Sequence, residues 1–186
     1  MAEYPGRLVL QTPRLDLRHL QARDLDALAA MYADEETRLY FPDGTRTREQ
    51  TARELAHFAH GHPQHPQLGL WATVERDSGI VIGRCGLLPW KIDGRDEVEL
   101  AYLIERARWG QGYASEAARA IFNYARDVLR LPRLIALITP GNAASVRTAQ
   151  AVGMHFAHDW VDEWGLCHVY AVALYPPAQD RPPTTL

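Results

Sequence analysis

The stretch that most constrains this chain is RARWGQGYASEA, residues 106–117. Before it, EVELAYLIE reads as a strand. After it, Ala114, Ala117, Ala118, Ile121, Phe122, Ala125, Val128 and Leu129 recur at i, i+3, i+4 spacing, so one face of a long helix is apolar. Gly110 and Gly112 therefore stand at a strand-to-helix junction. The first amides of a helix have no partner within it, and the macrodipole adds about half a positive charge there, so an anion binds without any lysine. Glycine lets such a loop turn at positive φ and bring bare backbone close to a ligand. A Walker A loop needs GxxxxGK[ST], and no lysine follows these glycines, which all but excludes that reading. GQGYAS comes nearer to the dinucleotide fingerprint G-x-G-x-x, but that motif opens a βαβ unit, and the elements before it here read as an antiparallel meander. A glycine turn that holds no ligand is the third reading.

The rest of the chain supplies a frame for the loop. RLDLRHL (14–20) alternates as a half-buried strand does, and ARDLDALAAMYADEE (22–36) and TREQTARELAHFAH (47–60) carry helical spacing. GLWATVERD, IVIGRCGLLPW and EVELAYLIE are three strand-like runs joined by turn residues. Beyond the long helix come a short buried strand, RLIALI, a helix over NAASVRTAQAVG, and a final hairpin around HFAHDWV and CHVYAVALY. This order predicts an α/β (α+β) fold, with a mixed, mostly antiparallel sheet of about seven strands flanked by about four helices. It also predicts one domain over 8–175 and a loose proline-rich tail over 176–186.

Composition limits the partners. With 186 residues and a net charge of −3, there is no polyanion-binding surface to expect, so nucleic acid is not a partner. No apolar run reaches the length needed to cross a bilayer, and the N-terminus lacks a secretory h-region, so the expected location is cytoplasmic, without membrane contact. Cys85 and Cys167 have no CxxC spacing and read as reduced packing thiols. The assembly state, monomer or homodimer, stays open.

Three segments in this order resemble the GNAT superfamily of acetyl-coenzyme A-dependent N-acetyltransferases. They are TPRLDLRHLQARD (12–24), WGQGYASEA (109–117) and NAASVRTAQAVGM (142–154). The likeness runs over about residues 8–175 and is greatest to the branch of ribosomal-protein N-terminal acetyltransferases. The family's loop is [QR]-x-x-G-x-[GA], and Trp109 stands here where Gln or Arg is usual.

The resemblance implies that the backbone of Trp109, Gly110, Gln111, Gly112, Tyr113 and Ala114 holds the coenzyme A pyrophosphate. It implies that backbone groups of Tyr102, Leu103 and Ile104 bond the pantetheine arm and thioester, with Asn142 touching pantetheine and capping the last helix. The chemistry needs a base for the amine and a proton for the leaving thiolate. Glu99 is the expected base, with Glu97 on the same strand face as its competitor. The family's donor tyrosine falls here at Ala149, so Ser145, one turn from Asn142, is the expected donor.

His57, His60, His62 and His65 could ligate a metal, but the turn-like GHPQHP carries no supporting Cys or carboxylate pattern, and no metal is expected. The five tryptophans read mainly as core. Trp160 and Trp164, with Asp159, Asp162 and Glu163, could border a site for a cationic acceptor. The expected activity is acetyl transfer from acetyl-coenzyme A to a primary amine, on a protein N-terminus or a small molecule. A non-catalytic coenzyme A-binding module and a dinucleotide-binding oxidoreductase are the alternatives.

Overall fold

A computed structural model describes residues 7–175; the tail expected over 176–186 lies outside the described residues. One eight-stranded sheet organises them, in the order β1-β2-β3-β4-β5-β6-β8-β7. Its strands are β1 (Leu8–Gln11), β2 (Leu15–His19), β3 (Gly69–Glu75), β4 (Val81–Ile92), β5 (Arg95–Ile104), β6 (Arg133–Ile138), β7 (His155–Asp162) and β8 (Gly165–Ala173). The helices are α1 (Leu25–Ala33), α2 (Arg48–Phe58), α3 (Tyr113–Asp127) and α4 (Ala143–Ala151). The strand beyond the expected seven is β1, a four-residue edge strand paired antiparallel with β2. Four residues on an edge carry too short an alternation to register as a pattern.

Local chemistry accounts for the elements. In β2, Leu15 and Leu17 are buried between half-buried Asp16 and Arg18. Thr47 caps α2 by accepting from the Gln50 amide, and the Gln50 side chain accepts in return from the Thr47 amide. Asn142 caps α4, its Oδ1 accepting from the Ser145 amide at 3.0 Å. In α3, Tyr113, Ala117, Ala118, Ile121 and Ala125 form one buried stripe. It packs with Leu15, Leu17, Trp71, Leu87, Leu100 and Leu134 on one face of the sheet. Leu28, Met31, Leu55 and Phe58 of α1 and α2 cover the other face, against Leu70, Ala72, Ala101 and Leu103.

The irregularity that matters lies between β5 and β6. The two run parallel and pair in register at a single position, Glu99 with Ile135, whereas β4 and β5 pair at ten positions from Ile92–Arg95 to Gly83–Ile104. Beyond Glu99 the strands part. This also revises one expectation: β5, α3 and β6 do form a βαβ unit around the glycine loop, despite the antiparallel strands that precede it.

Candidate active site

The loop sits between β5 and α3, and its sequence explains its shape. Gly112 is the N-cap of α3 at φ 81°, and Gly110 has φ 74°; a side chain at either would be strained in this left-handed region. A Cβ built on Gly110 would meet nothing within 4 Å, and one on Gly112 only the Arg14 guanidinium, so the loop presents open backbone. The larger residues brace it. Trp109 Nε1 donates to the Ile104 carbonyl at 2.7 Å, and Tyr113 Oη donates to Glu75 at 2.6 Å. Glu116 accepts from Thr12 Oγ1 at 2.5 Å and Arg14 Nε at 2.6 Å, and Arg14 Nη1 donates to the Gln111 carbonyl at 3.0 Å. The Gln111 side chain turns back to the Ala107 carbonyl. Trp109, Tyr113 and Glu116 thus hold the loop in place, while backbone faces outward at the positively polarised end of a 15-residue helix.

Where β5 and β6 part, a cleft of about 410 Å³ opens. Its walls come from both faces of β5: Glu99 and Ala101 point to one side, Leu100 and Tyr102 to the other. Asn142 and Ser145 of α4 line it as well, as do Trp90, Trp160, Trp164 and Asp162. The Tyr40–Asp43 loop closes over the end of β6, with Thr139 Oγ1 donating to the Tyr40 carbonyl at 2.8 Å.

Glu99 lies on the α1/α2 side of the gap. It accepts from Trp90 Nε1 at 2.6 Å and from the Leu137 amide. Burial raises its carboxyl above the ordinary glutamate range, against the opposing pull of the Trp90 hydrogen bond, the Arg84 charge and the Leu137 amide. Glu97 shares the strand face but faces another hollow, 3.6 Å from Arg133, outside the cleft. On the α4 side, Tyr102 Oη donates to the Ser145 carbonyl at 2.9 Å. Burial pushes the Tyr102 phenol up to about 12.

The backbone expected to meet pantetheine divides by alternation. Glu105 N donates to the Ile82 carbonyl and Leu103 stands opposite Arg84, so the groups of Leu103 face β4. Those of Tyr102 and Ile104 face the gap, the Ile104 carbonyl already taken by Trp109.

Other expected residues separate. Trp160, Trp164 and Asp162 line the cleft, whereas Asp159 pairs with His168 at 2.6 Å and Glu163 is exposed outside it. None of the four histidines lines it; the rings of His62 and His65 stack with centroids 5.6 Å apart, and His57 stands edge-on to His62. Trp90 was expected in the core and instead holds Glu99, edge-on to Trp160 with centroids 6.1 Å apart. Arg84 was missed altogether, although an arginine inside the apolar run IVIGRCGLL signals a buried charge with work to do.

Comparison with known proteins identifies this arrangement. The model of the acetyltransferase (GNAT) domain matches residues 14–155. The chain belongs to the GNAT acetyltransferase family. It is 32% identical to the YkkB protein of Bacillus subtilis over 148 residues, covering 80% of this chain and 86% of that protein. It is 30% identical to the N-acetyltransferase p20 of Bacillus licheniformis over 139 residues, covering 74% and 77%. A GNAT-family acetyltransferase from Bacillus anthracis superposes with a TM-score of 0.75 at 23% identity, over 89% of this chain and 98% of that one. Acetyl-coenzyme A is the family's acetyl donor, and the open amides of the loop and the slot beside β5 fit its pyrophosphate and pantetheine. Among the described residues no helix is long and apolar enough to cross a membrane.

Proposed function

We propose that this acetyltransferase moves the acetyl group of acetyl-coenzyme A directly onto a primary amine, with Glu99 as base and Ser145 as proton donor. The observation that carries the reading is the cleft through the sheet. Residues from opposite faces of β5 line one space, so donor and acceptor can approach from opposite sides and meet at the gap. When bound, acetyl-coenzyme A supplies an acyl carbon activated as a thioester. The loop amides from Gly110 to Ala114 hold the pyrophosphate, and the gap-facing groups of β5 orient the arm.

Glu99 takes the amine proton through water. Its raised pKa makes the carboxylate a stronger base than an exposed glutamate. Ser145, in the first turn of α4 and bonded to Tyr102, gives a proton toward the departing sulfur. A covalent cysteine route is disfavoured. Cys85 is buried with its thiol pushed up to about 11, and burial with the charges of Asp162 and Glu99 raises the thiol of Cys167 in the cleft.

The test is a screen of amines with acetyl-coenzyme A, reading thiol release and confirming the N-acetyl product by mass. Turnover of at least one primary amine at saturating donor is expected. Tight coenzyme A binding with no turnover of any amine would reduce the protein to a binding module.

A further inference from the structure

Arg84 stands in the middle of β4, only 6% exposed, and lines the cleft. The ladder puts it on the same sheet face as Glu99: Arg84 lies opposite Leu103 and Leu88 opposite Glu99. Its guanidinium, 5.9 Å from the Tyr32 ring and 5.6 Å from the Phe41 ring, is only partly satisfied by the protein. Nε donates to Tyr32 Oη at 2.8 Å, and the nearest ion-pair contact is a long 3.9 Å to Glu54. Neither Nη group has a hydrogen-bond partner among the described residues, and neither is sealed from solvent.

The neighbouring charges are already committed elsewhere. Glu54 is held by Tyr32 Oη and Arg46, and Asp43 by Arg38 and Arg46. Three guanidiniums, those of Arg38, Arg46 and Arg84, therefore face two carboxylates, those of Asp43 and Glu54. Glu99 is beyond ion-pair distance of Arg84 and is held instead by Trp90 and the Leu137 amide. The one carboxylate near this buried guanidinium is 3.9 Å away and shared with Arg46, so both Nη groups stay open, and a ligand carboxylate matches their fork.

We infer that Arg84 is the anion-binding element of the acceptor site, so that the acceptor is a small molecule carrying a carboxylate together with its amine. This rests on the acetyl-transfer reading above and deepens it. The carboxylate pairs with the Nη groups of Arg84, and the amine turns toward Glu99 on the same face. Phe41, Phe58, Leu70 and Leu88 line the same cleft and provide an apolar wall for the remainder. A peptide N-terminus has an amide where this site offers a cation.

The experiment compares L-phenylalanine, L-methionine and L-tryptophan with their carboxamides as acceptors, in the wild type, Arg84→Gln and Arg84→Lys. Acetyl-coenzyme A binding, measured by calorimetry, reports that each variant is folded. The wild type should favour the acids by about 100-fold in kcat/KM, Arg84→Gln should erase that preference, and Arg84→Lys should restore part of it. Equal use of acid and carboxamide by the wild type, or better use of short peptides than of either, overturns the inference and leaves the acetyltransferase reading standing. If no amine turns over, phenylalanine binding to the coenzyme A-loaded protein is read from tryptophan fluorescence. Binding lost in Arg84→Gln supports the anion site while acetyl transfer falls, and absence of binding in the wild type removes the site.

Discussion

Glu99 holds two properties in tension. Burial raises its carboxyl pKa, so the folded protein binds that proton more tightly than the unfolded chain does. The stabilising contribution is therefore present at low pH and is lost as pH rises through the folded pKa. Above the carboxyl pKa of the unfolded chain, the buried group therefore costs the fold stability. Glu99→Gln removes that burden, so its melting temperature should equal or exceed that of the wild type at pH 7, the difference shrinking in acid. Its acetylation rate should fall ~10²-fold or more at neutral pH, because the amine loses its base. The loss should shrink as pH rises and free amine becomes abundant. Ser145→Ala should be slowed without any rescue at high pH, since the missing proton goes to sulfur. Melting curves and pH-rate profiles of the three proteins check this; a wild-type rate for Glu99→Gln at neutral pH would remove Glu99 as the base.

At the scale of elements, the loop and α3 act together, and backbone is the working part. Gly112→Val forces a β-branched residue to φ near +81°, at the helix N-cap, which costs about 1–2 kcal/mol from backbone alone and displaces the first amides. Calorimetry should show acetyl-coenzyme A affinity reduced at least tenfold. Gln111→Ala should change it less than threefold, because the Gln111 side chain bonds only the loop's own Ala107 carbonyl. Comparable losses in both would mean that side chains hold the donor. These elements were legible in the sequence because their signals are local: the glycine pair, the α3 stripe, the Asn142 cap. The gap between β5 and β6 has no local signal, since strand separation depends on pairing between residues 99 and 135; only the family resemblance, in which this strand splays from its neighbour, implied it. What Trp90 and Arg84 do there depends on long-range contacts as well. Alternation gives each a face of β4 but does not say that β5 brings Glu99 against one, or that the other keeps its Nη groups open.

The whole molecule is joined unevenly, and this has a measurable consequence. β1 to β5 form one continuous antiparallel ladder, and β6, β8 and β7 form another. Between them stand one parallel pair, the α3 stripe and contacts such as Tyr102 with α4 and Thr139 with Tyr40. A donor seated along β5, with its pyrophosphate on the α3 amides and its arm beside Asn142, would touch both ladders. Binding only to the folded state stabilises by about 2.7 kcal/mol at 100 times Kd, which in a chain of this size raises the melting temperature by about 5–10 °C. Acetyl-coenzyme A should produce that shift, and NAD at the same concentration should not. Hydrogen exchange should slow together at the end of β5, the start of α3 and the first turn of α4, the three places the donor would bridge. Protection confined to α3 would mean that the ligand holds the loop alone and does not span the gap, and a shift from NAD in place of acetyl-coenzyme A would return the loop to its dinucleotide reading.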